Sequence, residues 1–152
     1  MENDFKYSLS VGTTSTAADG VYTKLSFKGD EVTYTVTIPG QTGVSFSRSI
    51  PLTPEDIQML MDATDYLALN RERFQKNDMM IMGGNKTISG SADGVQFSFL
   101  NNIDAMNRID DTIKFILATK EVDIRKEVHK EVEEYRMAQR GIEPEVPGGK
   151  TL

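Results

Sequence analysis

Residues 103–140 carry one almost uninterrupted helical pattern, about a quarter of the chain. Its first half places Met106, Ile109, Ile113, Ile116 and Leu117 in a core-facing stripe. Its second half keeps only a thin line of Ile124, Val128, Val132 and Tyr135 among charged residues. Taken as a single rod, it spans roughly 55 Å at about 1.5 Å per residue. A domain of this length has a radius of gyration of only about 15 Å. A straight rod must therefore bend or reach another chain. The pattern predicts a homodimer or larger assembly, with Ile124, Val128, Val132 and Tyr135 at the subunit interface.

Upstream, the period changes from helical to two. Phe5, Tyr7, Leu9 and Val11 alternate with polar residues, and Gly12–Gly20 follows as a small polar loop. Val21, Thr23, Leu25 and Phe27, then Val32, Tyr34, Val36 and Ile38, flank Gly29-Asp30 as a hairpin. Val44–Ile50 reads as a fourth strand. Thr53 caps a helix with Pro54 at its first position and Glu55 and Asp56 against its positive end. That helix is expected to reach about Lys76. Met79–Met82, Lys86–Ser89 and Val95–Leu100 read as further short strands, and Asn101 or Asn102 caps the last helix. The order predicts an α+β fold: an antiparallel sheet of about six strands, ββββ-α-ββ(β)-α. Two helices cover one face, the C-terminal one long. Residues 1–141 form one domain, and 142–152 (IEPEVPGGKTL) a disordered tail.

Composition narrows the chemistry. There is no cysteine, so no thiolate catalysis or cysteine zinc site. The single histidine, His129, lies among charges on the last helix and reads as a surface residue. No apolar run is long enough to span a membrane. Residues 1–12 lack a signal-peptide pattern, so a cytoplasmic location is expected. The net charge is −6. Basic and acidic side chains number four and five in residues 1–50, four and seven in 51–102, and nine and eleven in 103–152. No third is basic, which disfavours a coat for long nucleic acid. A small anion needs only two or three well-placed arginines. No catalytic constellation is legible, which predicts a binding protein rather than an enzyme, with no cofactor and no metal.

Several residues stand out as candidates. Alternation puts Arg48 on the face of Phe46 and Ile50, where a charge needs an anion, an interface ion pair, or a bulge or strand end leading back to water. Phe97, Phe99, Asn101, Asn102, Asn107 and Arg108 cluster where a strand ends and a helix begins, a place for stacking and anion binding or simply core and cap. Lys6, Tyr22, Lys24 and Lys28 share the polar strand faces with Thr33, Thr35 and Thr37, as a weak nucleic-acid surface or a solvated one. Glycine-rich fragments at 83–87 and 148–151 lack the spacing of a phosphate loop. The pairs Asp62/Asp65 and Asp110/Asp111 offer a cation too few ligands.

Two resemblances add expectations. The stretch Arg48-Ser49-Ile50-Pro51-Leu52-Thr53-Pro54-Glu55-Asp56-Ile57-Gln58-Met59-Leu60, behind a hairpin, resembles the strand-to-helix junction of PC4-like and Whirly single-stranded-DNA-binding proteins, over roughly residues 20–70. That likeness implies a curved antiparallel sheet, a helix across it, and dimerisation. The chain lacks their basic sheet. In architecture, a small cysteine-free chain with an antiparallel sheet and a long final helix is similar to phage anti-defence sponges of the Thoeris type. Those trap cyclic ADP-ribose-like signals at subunit interfaces without cleaving them. This likeness implies a viral protein acting in the host cytoplasm, binding a small nucleotide-like ligand. By their chemistry, Phe97 or Phe99 would stack, Asn107 would make a polar contact, and Arg48, Arg108 or Arg125 would hold phosphate. The leading expectation is thus a non-enzymatic oligomer that sequesters a nucleotide-like anion at a subunit interface. The alternatives are a PC4-like nucleic-acid binder and a protein-interaction module using the C-terminal helix.

Overall fold

A computed structural model of the chain describes residues 7–15, 20–39, 43–74, 84–139 and 141. The strands are β1 (Tyr7–Ser15), β2 (Tyr22–Lys28), β3 (Glu31–Ile38), β4 (Val44–Pro51), β5 (Gly84–Ala92) and β6 (Val95–Leu100). The helices are α1 (Pro54–Leu69), α2 (Ile103–Ala118) and α3 (Ile124–Gln139). All strand pairs are antiparallel, in the order β4-β3-β2-β1-β5-β6.

Strict alternation fixes which side of the sheet is dry. One row across the strands reads Ile50, Val32, Phe27, Leu9, Gly90 and Phe97, and the next reads Arg48, Tyr34, Leu25, Val11, Ile88 and Phe99. These apolar positions, with Leu60 and Leu67 of α1, Ile109 and Ile116 of α2, and Ile124 and Val128 of α3, form the core. Among the described residues, three helices cover this face.

The expected C-terminal rod is two helices. Thr119 closes α2, its hydroxyl donating to the Ile116 carbonyl (2.7 Å). Asp123 opens α3, its carboxylate accepting from the Arg125 and Lys126 amides (3.2 Å each). Between them Lys120 turns inward to an ion pair with Asp56, both side chains largely buried. No glycine or proline occurs in 103–140, so nothing local requires the break. The bend lets Ile124, Val128 and Val132 pack on β3 and β4 of their own chain.

Other boundaries also move. β1 continues through Ser15 rather than looping from Gly12, because β5 pairs with it along its whole length, from Tyr7↔Ala92 to Ser15↔Gly84. α1 stops at Leu69. Asn70 returns its side-chain amide to the Tyr66 carbonyl (2.8 Å) and Arg71 reaches the Ala68 carbonyl (3.0 Å). The turn still delivers Phe74 to the core against Tyr66 and Phe99. Lys6, Lys76, the Met79–Met82 strand and the 142–152 tail lie outside the described residues.

The first helical turn ties these parts together. Thr53 and Asp56 form a reciprocal capping box. Burial alone would raise the Asp56 pKa, but the Lys120 ammonium and the Thr53 hydrogen bonds outweigh it and hold the carboxyl below its ordinary value. Tyr7 donates its hydroxyl to the Gly29 carbonyl (2.9 Å). Burial, reinforced by the negative charges of Asp30 and Asp56, pushes that phenol up to about 12. A depressed carboxylate stabilises the fold above its unfolded pKa, and that contribution fades as pH falls through the folded value. A raised phenol acts oppositely: its contribution is whole below the unfolded value of 10.0 and is lost as pH climbs towards about 12. Denaturant titrations across pH should therefore show a plateau with two edges. The alkaline edge should cost about 3 kcal/mol. Asp56→Asn should flatten the acid edge, and Tyr7→Phe the alkaline one.

Candidate ligand-binding face

The side of the sheet that no described helix covers follows from the same alternation, with polar residues at most alternate positions. One row, Ser49, Thr33, Ser26, Ser10, Ser89 and Ser98, places a hydroxyl on all six strands. Some hydroxyls are paired: Thr33 with Ser49 at 2.7 Å, Thr37 with Ser45 at 2.8 Å, Ser8 with Ser91 at 3.3 Å. Each hydroxyl is one donor and two acceptor sites, so a paired one keeps capacity for a ligand.

One row over, the sequence of side chains is Ser47, Thr35, Lys24, Gly12, Thr87 and Leu100. Gly12 interrupts it, and a depression of about 500 Å³ lies there. Gly12 is its floor. Tyr22, Lys24, Thr35 and Thr37 line one side, and Ser10, Thr14, Thr87 and Ser89 the other. Tyr22 is 44% exposed, which leaves its ring available for stacking. Lys24 is the one cation among the described residues that line the depression, and none of them bears a carboxylate. The site can therefore present an aromatic face, a positive charge and many hydroxyls to one small molecule.

The residues expected to bind ligand are not brought together. Phe97 and Phe99 are core, 6% and 2% exposed, stacked on each other with centroids 5.4 Å apart. A base cannot reach either ring. Arg48 does share the helix-side face with Phe46 and Ile50, but its partners are Glu131 and Glu127 of α3 in the same chain. It is 42% exposed, so the pair is screened and adds little stability. Arg108 lies over the Tyr66 ring at 3.8 Å, between α1 and α2. Asn107 is exposed on α2, and Arg125 on α3.

The expected subunit interface is likewise spent internally. Ile124, Val128 and Val132 are buried on β3 and β4, and Tyr135 tilts against Phe46 at 5.6 Å. The sequence left the rod to bend or to reach another chain and favoured a subunit interface; the bend at 119–123 takes the first course and seats this line on its own sheet. His129 is exposed but not idle: its Nε2 lies 2.7 Å from the Tyr34 hydroxyl. Among the described residues no metal-ligand cluster occurs. Asp62 accepts from Gln58 at 2.9 Å, and Asp110 faces Lys86 at 3.9 Å.

Tyr22, Lys24, Thr35 and Thr37 stood out as a polar strand face, but the β1–β5 half of the depression did not. Its signal was a second period of two, Thr87, Ser89 and Ser91. That signal was hidden because Gly90 and Ala92 alternate with them in place of large apolar residues.

No family model matches the chain, and no curated protein matches it in sequence. Its class rests on the architecture: an α+β protein whose six-stranded antiparallel sheet is covered by helices on one face and polar on the other. No described helix is long and apolar enough to cross a membrane.

Proposed function

We propose that this is a non-enzymatic binding protein that takes a small nucleotide-like anion in the Gly12 depression. The observation that carries the reading is the lining itself: among the described residues it offers one exposed aromatic ring, one ammonium, a ring of hydroxyls and no carboxylate. Tyr22 offers a face for a base, Lys24 a counter-charge for a phosphate, and the threonines and serines partners for ribose and base edges. Among the described residues the hydroxyls adjoin no carboxylate or imidazole in the depression that would activate them, which favours capture over conversion. Sequestration of a signal nucleotide, of the phage anti-defence kind and in the host cytoplasm, is the role this chemistry suits.

Calorimetry and thermal shift with cyclic mononucleotides, cyclic dinucleotides and ADP-ribose test it. At about a hundred times Kd, a ligand should add about 2.7 kcal/mol and raise Tm by roughly 5–10 °C. Lys24→Gln should weaken binding about tenfold, as one charged hydrogen bond is worth. Gly12→Thr should abolish it by filling the floor while the protein stays folded. A wild-type Tm unmoved by every nucleotide would remove the proposal.

A second reading has support from the same face, since Lys28 extends the line of Tyr22 and Lys24 along β2. A single-stranded nucleic acid laid there would show affinity falling steeply with salt in a gel shift. A partner protein docking on α3 would have to use its charged outer side, because the apolar stripe is inside.

A further inference from the structure

We infer that α3 is exchangeable between copies of this chain: the 119–123 bend is a hinge, and straightening it seats α3 on β3 and β4 of a second copy. Four observations converge on this. The bend contains no glycine or proline, and helical residues flank it on both sides. Thr119 already has helical dihedrals, φ −84° and ψ −5°. Ile113 and Ile124 are eleven residues apart, about three turns, so a straight helix keeps their apolar sides aligned. Finally, α3 makes its main contacts with β3 and β4 and not with α1 or α2, so its seat does not depend on its own preceding helix.

The contacts described between α3 and the sheet can be remade in trans. The Ile124, Val128 and Val132 burial, the Tyr135–Phe46 contact, the Arg48 pairing with Glu131 and the Tyr34–His129 hydrogen bond all join α3 to the sheet. A two-fold dimer in which each copy gives and receives one helix satisfies them twice. Straightening adds backbone hydrogen bonds across 119–123 and gives up the Asp123 cap and the Lys120–Asp56 ion pair. In the exchanged form Lys120 is carried away along the rod. Among the described residues the ion pair is thus a strong charged contact that belongs to the closed monomer and not to the exchanged form, and it acts as a latch.

The latch gives variants of opposite sign. Protein refolded from denaturant at high concentration is separated by size exclusion with light scattering. Lys120→Ala should raise the dimerisation constant roughly tenfold, the worth of one charged hydrogen bond. Val122→Pro should lower it by a hundredfold or so, because proline inside a straight helix costs about 3 kcal/mol, while the exposed bend accepts it. The chain has no cysteine, so Arg48→Cys and Glu131→Cys proteins can be refolded together. A short bis-maleimide, long enough to span the two side chains that these cysteines replace, is expected to join one of each on a denaturing gel only if α3 crosses over. Folded wild-type and Lys120→Ala proteins that both stay monomeric overturn the inference. So does a dimer indifferent to Val122→Pro, or one in which the bis-maleimide joins no mixed pair. Nucleotide binding is a separate readout, so failure here leaves the Gly12 site standing, and failure there leaves the exchange standing.

Discussion

Phe99→Ala should lower the stability of the protein by about 4 kcal/mol, the usual cost of removing a fully buried phenylalanine. The ring is 2% exposed and lies between Phe97 at 5.4 Å and Phe74 at 5.6 Å. Phe74 is held in turn through its carbonyl, which accepts from the Asn102 side-chain amide (2.7 Å). Asn102 also caps α2 by accepting from the Ala105 amide (2.9 Å). Truncation therefore opens a cavity where α1, β6 and α2 meet, and little there can collapse to fill it. Thermal denaturation followed by circular dichroism should show a Tm roughly 10 °C lower. The measurement also separates two roles. A phenylalanine that stacked a ligand's base would leave Tm unchanged and reduce affinity instead.

Gly90→Ala should cost about 3 kcal/mol despite adding only one methyl group. By strand preference alone, alanine would be the better residue by about half a kcal/mol or more. Gly90 lies on β5 between Leu9 and Phe97, and a Cβ there would sit 2.1 Å from the Ser8 carbonyl oxygen and 3.1 Å from the Leu9 Cα. Both obstacles are backbone, so β1 and β5 would have to move apart at the centre of the sheet. Gly12 supplies the control. Its Cβ would meet the Thr23 carbonyl oxygen at 3.4 Å, an ordinary contact, so Gly12→Ala should be neutral or slightly stabilising. Urea denaturation of the two variants side by side checks the contrast. Equal midpoints would show that β5 can shift to accept the methyl group.

The hairpin at Gly29-Asp30 and the Thr53 cap were legible because each is local: a turn residue, an alternating run, or a side chain three residues from the amide it accepts from. Arg48 was legible in part. Alternation placed it on the helix side correctly, but no local rule could reveal that Glu131, eighty-three residues away, would meet it there. Phe97 and Phe99 were read as core or as stacking platform, and only the arrival of Phe74 from the turn after α1 settled them as core. The β5 strand was the hardest. Two of its three inward positions, Gly90 and Ala92, are small, at Gly90 because neighbouring backbone leaves no room for a side chain, and small residues carry a weak periodic signal.

Residue order alone established the strand-rich first half, the one-sided polarity of its strands, the capped helices and the absence of thiol chemistry. Those follow from interactions within a few residues, where side-chain period and turn chemistry outweigh everything else. The bend at 119–123, the inward turn of Ile124, Val128 and Val132, and the Gly12 hollow came from contacts between distant segments. Lys120 meets Asp56 across sixty-four residues. A helix with no intrinsic breaker bends there because a buried ion pair and a second apolar seat on β3 and β4 together outweigh the few hydrogen bonds that straightness would add.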